Sequence, residues 1–216
     1  MTTVAVVDYG AANLLSVTRA MESLGVAAEI TDDPEVVLAA AGVVLPGVGA
    51  AGAAMARLRA SGVDAALRER VAQGRPLLGV CLGMQLLFTD LEEDSATGLG
   101  ILPGASPILP PGRKIPHMGW NAISWEPGMA GAELFTGLTP GAHGYFVHSY
   151  YCVPANPADA IAWTEYEGLR LCAAVAHGSV YALQFHPEKS GAAGLRMLAN
   201  WLKLAQVGTM REAQAS

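Results

Sequence analysis

Cys81 sits in the pentapeptide Gly79-Val80-Cys81-Leu82-Gly83, which has the form of a nucleophile elbow with sulfur in place of the usual serine oxygen. An elbow of this kind turns sharply from strand to helix. Its small flanking residues let the backbone fold tightly and leave the nucleophile above the sheet edge. The neighbouring sequence fits, because Pro76 opens the apolar run 77–80 and residues 84–88 read as a helix starting just after the cysteine. A helix N-terminus aimed at the sulfur favours the thiolate. His186-Pro187-Glu188 follows a second apolar run and offers an imidazole as base and acid, with a carboxylate to orient it. Each fragment alone has a plainer reading: a cysteine in an apolar segment is usually a small core residue, and His-Pro-Glu after a strand is an ordinary loop. Their combination points to a Cys81-His186-Glu188 triad.

The loop Pro46-Gly47-Val48-Gly49 directly follows a buried run. It is either a simple turn using glycine's backbone freedom or an oxyanion loop whose N–H groups face a developing negative charge. In the second case the N–H of Leu82, just after the nucleophile, is the other donor. Gly98-Leu99-Gly100 is not clearly followed by a helix and reads as a turn. Asp90, Glu92, Glu93 and Asp94 read as a solvated helix end and loop, with a place on the rim of the site as the alternative. His117, His143, His148 and His177 lack metal-ligand spacing, so no metal site is expected. The segment 114–121 places Met118 and Trp120 in a Pro/Gly-rich stretch, where they either anchor a loop to the core or form an apolar anchor for a partner. In the aromatic run 145–151, strand alternation puts Tyr145, Val147 and Ser149 on one face.

Elements able to hold these residues alternate in the first half of the chain. Residues 4–7, 27–31, 42–45 and 77–80 read as buried strands, and 13–24, 53–59 and 63–73 as helices. This order implies a parallel sheet covered by helices on both faces, with chemistry beyond the carboxyl ends of the strands. Asp8, the 46–49 loop and Cys81 then share one rim. The second half is β-rich at 120–125, 145–153, 160–163, 171–176 and 180–185, and these runs are expected to extend the sheet with antiparallel strands. An amphipathic helix at 194–204 closes the fold. Residues 1–205 read as one domain and 206–216 as a loose tail.

With 216 residues, 52% of them hydrophobic and 15% charged, the chain has material for one large core. A net charge of −6 without a basic stripe argues against nucleic acid or anionic membrane as partner. Three cysteines without a C-x-x-C motif fit a reducing, cytoplasmic setting better than a disulfide framework. The stretch 36–56 carries no charge but is broken by Pro46, Gly47, Gly49 and Gly52, so strand, loop and helix describe it better than a membrane span.

Together, Pro46-Gly47-Val48-Gly49, Gly79 to Gln85 and His186-Pro187-Glu188 resemble the triad-type (class I) glutamine amidotransferases. Residues 8–14, 114–121, 145–150 and Lys189-Ser190-Gly191 narrow the resemblance to the glutaminase subunits of imidazole glycerol phosphate synthases, over about residues 4–204. The resemblance implies an α/β, flavodoxin-like three-layer sandwich with a mixed, mostly parallel sheet of seven or more strands. It implies Cys81 as nucleophile, His186 as base and acid and Glu188 as its orienting partner. Gly47, Gln85, Ser149 and Tyr150 match positions that hold L-glutamine, and no cofactor is implied. It also implies docking on a (β/α)8-barrel cyclase as a heterodimer, through Asn13, Met118, Trp120, Asn121, Tyr145 and Lys189. One departure is Ala12, where such sequences usually carry glycine; a positive φ there would cost alanine about 1 kcal/mol or more. Amidotransferase subunits serving chorismate or pyridoxal phosphate chemistry share the triad but not the 114–121 segment. A cysteine peptidase, a redox-sensing relative and a non-catalytic scaffold subunit are the readings outside this group.

Overall fold

The run Val4-Ala5-Val6-Val7 is fully buried and makes up most of β1 (Thr3–Val7). The computed structural model describes residues 3–11 and 13–207; Ala12 and the segment from 208 onward lie outside the described residues. After β1 come α1 (Leu14–Ser23), β2 (Ala27–Thr31), α2 (Pro34–Ala39), β3 (Gly42–Leu45), α3 (Ala51–Ser61), α4 (Val63–Ala72), β4 (Leu77–Val80) and α5 (Leu82–Leu86). The second half holds β5 (Phe88–Leu91), β6 (Ala96–Thr97), β7 (Leu102–Ser106), β8 (His117–Ala122), β9 (His143–His148), β10 (Val153–Pro154), β11 (Ala160–Tyr166), β12 (Leu169–His177), β13 (Val180–Leu183) and α6 (Gly191–Leu204).

The main sheet has seven strands in the order β11-β12-β13-β4-β3-β1-β2. Strands β2, β1, β3, β4 and β13 are mutually parallel, and β12 and β11 add an antiparallel edge. Side chains on a strand alternate between faces. Val4 and Val6 therefore join Val17 and Met21 of α1 and Met197 and Trp201 of α6 in one core. Ala5 and Val7 join Val37 of α2, Met55 and Leu58 of α3 and Leu67 of α4 in the other. The result is the expected three-layer α/β sandwich. Register brings the chemistry together: Leu45 pairs with Gly79 and Val80 with Leu183. The loops leaving β3, β4 and β13 thus emerge side by side.

Several local expectations change. The uncharged stretch at 36–56 starts inside α2, whose start is written in Asp33-Pro34-Glu35: the Asp33 carboxylate accepts the Glu35 N–H at 2.8 Å and proline occupies the first turn. No helix among the described residues is long and apolar enough to cross a membrane. The helix expected at 84–88 is shifted to Leu82–Leu86, because Phe88 begins β5, in a separate four-stranded sheet of order β10-β7-β5-β6. The runs at 120–125 and 145–153 add no strand to the main sheet, although Ser124 forms an isolated antiparallel bridge to Trp163 of its edge strand β11. Instead β8 and β9 pair with each other as an antiparallel ribbon, and Val153 belongs to β10. Of the residues read as a tail, Gln206 and Val207 are described, and Val207 is buried in the same core as Trp201.

Candidate active site

Cys81 occupies the turn between β4 and α5 with φ 55 and ψ −111, a region that costs a non-glycine residue about 1–3 kcal/mol. Neighbours hold it there. Its N–H donates to Leu183 O at 2.7 Å, and its carbonyl accepts from Met84 N at 2.9 Å. Gly83 allows α5 to lie against β3, since a Cβ there would collide with the Leu45 carbonyl. The elbow read from the sequence is therefore a real strand-to-helix reversal.

His186 and Glu188 follow β13. The His186 Nδ1–H donates to Glu188 Oε1 at 2.8 Å, with both side chains almost fully buried. An ionised carboxylate can only accept, so this bond places the ring proton on Nδ1 and turns Nε2 to the reaction side. Nε2 is buried with no hydrogen-bond partner among the described residues, and Cys81 is near enough to act on the ring's titration. Burial opposes charge on the ring, yet the Cys81 sulfur and the Glu188 carboxylate more than offset it and raise the His186 pKa to about 9. The main chain is pinned as well: His186 N–H donates to Tyr145 O at 2.9 Å, and Ser190 Oγ donates to His186 O at 2.6 Å.

Cys81 opens onto a cavity of about 320 Å³. Val48, Gly49, Leu82, Gln85, Ser149 and Tyr150, all singled out from the sequence, share its lining, as do Glu93, Pro116, Val147 and His148. Gly47 lies just behind, against Tyr9, whose hydroxyl donates to Pro46 O at 2.7 Å. The Gly47 carbonyl accepts the Leu82 N–H at 3.3 Å. One of the two expected oxyanion donors is therefore occupied by the very loop expected to supply the other. Glu93 is the carboxylate sequence reasoning left inside an undifferentiated acidic cluster. Its Oε2 accepts Ala51 N–H at 2.7 Å, which fixes it at the cavity wall.

The proposed docking residues divide by environment. Met118 and Trp120 are 59% and 55% exposed on the outer face of the β8–β9 ribbon. The Trp120 and Tyr145 rings meet edge-on at 5.9 Å, and Lys189 Nζ lies 5.9 Å from the Tyr145 ring centre. Asn121 turns inward, its amide donating to Glu165 O at 3.1 Å and its oxygen pairing with His117 at 2.9 Å. His117 continues to His148 at 3.0 Å, and His148 Nδ1 donates to Tyr150 O at 2.8 Å. This buried chain supports the cavity wall, and burial, helped by His117, holds the His148 pKa down to about 3. Asn13 donates from Nδ2 to Glu188 Oε1 at 2.7 Å.

Residues 5–205 match the family model of class-I glutamine amidotransferases. The chain belongs to that family. Among curated class-I relatives, the imidazole glycerol phosphate synthase subunit HisH of Moorella thermoacetica is 48% identical over 95% of this chain and 97% of its own length. The protein of the same name from Synechocystis is 44% identical over 93% and 95%. Solved amidotransferase structures share the fold at lower identity. A glutamine amidotransferase matches with a TM-score of 0.74, 22% identity and coverage of 94% of this chain and 99% of the other. A chain of PurLQS from Thermotoga maritima matches at 0.72, with 20% identity and coverage of 94% and 98%. The loops after β3, β4 and β13 gather Val48, Gly49, Cys81 and His186 at one sheet edge.

Proposed function

We propose that this chain is the glutaminase subunit of an imidazole glycerol phosphate synthase in histidine biosynthesis, with Cys81, His186 and Glu188 as its triad. The observation that carries the reading is a buried His186–Glu188 pair, bonded at 2.8 Å, beside Cys81, which lines a cavity. The high identity to curated synthase subunits over nearly the full length supports the choice of complex.

In this reading the Cys81 thiolate attacks the side-chain amide carbon of L-glutamine, and the carbonyl oxygen becomes an oxyanion. The His186 imidazolium gives its Nε2 proton to the departing nitrogen, so ammonia leaves and a glutamyl thioester remains. Neutral His186 then takes a proton from water, hydroxide adds to the thioester, and glutamate and the thiolate are regenerated. Acid–base help of this kind contributes about 10²–10⁴-fold, and each oxyanion donor about 10²–10³-fold. No cofactor is required. Glu93, a carboxylate at the wall, suits the α-ammonium of glutamine, while Gln85, Ser149 and Tyr150 shape the rest of the cavity.

Ammonia released into water would be protonated and lost as a nucleophile. We therefore place a (β/α)8-barrel cyclase subunit on the face carrying Met118, Trp120, Tyr145 and Lys189, sealing the exit and forming a heterodimer. There the ammonia is used to make imidazole glycerol phosphate and an aminoimidazole carboxamide ribonucleotide. We read residues 1–205 as one amidotransferase domain. A cytoplasmic setting fits the three free, buried cysteines.

The test pairs the purified chain with its cyclase partner. Cys81→Ala is expected to abolish glutamine hydrolysis while ammonia-dependent synthesis by the complex continues. Labelling by a diazoketone analogue of glutamine is expected at Cys81. Glutamine-dependent synthesis surviving in Cys81→Ala would sink the assignment.

A further inference from the structure

The residue before Phe185 and the catalytic imidazole is Gln184, a polar side chain with 0% exposure in the middle of the sheet edge. An amide so buried must have partners for both its oxygen and its nitrogen. Its oxygen accepts from Gln85 Nε2 at 3.3 Å and from the Cys152 thiol at 3.9 Å. Its nitrogen donates to Cys81 Sγ at 3.9 Å.

The orientation of this amide follows from donor and acceptor chemistry. Gln85 Nε2 also donates to the Tyr150 carbonyl at 3.0 Å, and a carbonyl can only accept. That identifies the Gln85 atom as nitrogen, so the Gln184 atom facing it must be oxygen. A flipped Gln184 would set two amide N–H groups against each other and aim its oxygen at the sulfur. The chain of bonds therefore runs one way, from Tyr150 through Gln85 and Gln184, and ends in an N–H pointing at the nucleophile. The protonated thiol has an acceptor as well, since Cys81 Sγ donates to Val147 O at 3.7 Å. Once the proton leaves, that carbonyl repels the sulfur and the Gln184 N–H attracts it.

We propose that Gln184 is a further residue of the reaction, a fixed neutral donor that stabilises the Cys81 thiolate and whose direction is set by Gln85. This rests on Cys81 being the nucleophile. A hydrogen bond to the charged form favours ionisation; unlike His186, the amide carries no proton to transfer and stays in place through both half-reactions. Other titratable groups facing the sulfur are His186 after β13, Cys152 before β10, Tyr9 after β1 and, on the cavity wall, His148 and Glu93.

The experiment is the pH dependence of Cys81 alkylation by iodoacetamide in the full-length chain, read by mass spectrometry. Gln184→Met removes the donor at similar length. It is expected to raise the alkylation midpoint by about one pH unit, a tenfold loss of thiolate below the midpoint, with folding confirmed by circular dichroism. A folded Gln184→Met whose midpoint matches the native chain overturns the proposal. A measurement on the native chain covers a variant that fails to fold: the Gln184 side-chain amide resonances are expected to shift with the same midpoint as alkylation. Amide resonances that stay fixed while Cys81 ionises also overturn it. If Cys81 of the native chain is not alkylated at any pH, the nucleophile assignment falls and takes this proposal with it. An unmoved midpoint removes Gln184 alone.

Discussion

Asn13 and His186 share one oxygen: the Asn13 amide donates to Glu188 Oε1 at 2.7 Å, and the His186 ring donates to the same atom at 2.8 Å. An asparagine at a helix start usually caps the helix, but Asn13 makes no such bond and adopts φ 75. Its side chain is committed to Glu188 instead. Residue 13, expected at the docking face, thus reaches the His186 ring through a single acceptor.

Asn13→Ala is expected to lower kcat for glutamine by about 10–100-fold, the range for one hydrogen bond to a charged group, while KM changes little. Asn13→Asp should be worse, since it places a second carboxylate against Glu188. Steady-state kinetics on the complex check both, and an unchanged kcat in Asn13→Ala would remove the residue from the triad's support.

The raised pKa of His186, about 9, predicts where its ring titrates. Its folded value lies above the ordinary 6.5, so the stabilisation from the imidazolium is complete below about pH 6.5 and is lost as pH rises through about 9. Imidazole resonances of His186 should titrate near 9 in the native chain. In Cys81→Ala the midpoint should fall, because a raising partner is gone. A native midpoint near 6.5 would contradict the thiolate–imidazolium pairing.

The bond from Leu82 N–H to Gly47 O at 3.3 Å predicts an idle isolated chain. The amide expected to receive the oxyanion is taken, and the Gly47–Gly49 segment must turn before an N–H replaces that carbonyl. Adding the cyclase subunit should raise kcat by about 10²–10³-fold, the usual worth of one oxyanion donor. Robust glutamine turnover by the purified chain alone would refute this.

Gly83→Ala tests the elbow's geometry. The new methyl would meet the Leu45 carbonyl, and overpacking of this kind costs about 1–3 kcal/mol. Chemical denaturation should show the loss, and activity should fall with it because Cys81 is carried on the same turn.

Trp120→Ala should leave the stability of the isolated chain within about ±0.5 kcal/mol, as for an exposed side chain. Its affinity for the cyclase should fall by more than tenfold, as for a central aromatic anchor. Titration calorimetry separates the two effects.

The elements that carry the candidate site residues were legible because their signals are local. The small residues around Cys81 and the apolar runs before Pro46, Cys81 and His186 each report a strand and its exit. What stayed hidden depends on pairing at a distance. Residues 120–125 and 145–153 alternate as strands do, but alternation does not say whether a strand joins the main sheet or, as with β8 and β9, finds a partner of its own. Phe88 looks like the last residue of the expected 84–88 helix until the small sheet beyond the elbow claims it for β5. Glu93 was singled out only as part of a cluster with the rim as its alternative place, and Gln184 was missed, for a related reason. An acidic cluster and a lone glutamine in an apolar run carry no spacing signal, and only the folded arrangement brings one to the cavity wall and the other to the sulfur. Asn121 was grouped with the docking face by resemblance, and that its amide also bonds His117 and Glu165 is a pairing at a distance.

Strand β9 has two faces with two tasks. Outward it offers the Tyr145 ring beside Trp120 and Lys189, and along its edge the carbonyl of that same tyrosine grips the backbone of His186 at 2.9 Å. A protein leaning on the tyrosine ring cannot displace the strand without tugging the imidazole's main chain. In the proposed complex a single residue, Tyr145, would join the docking face to the His186 backbone.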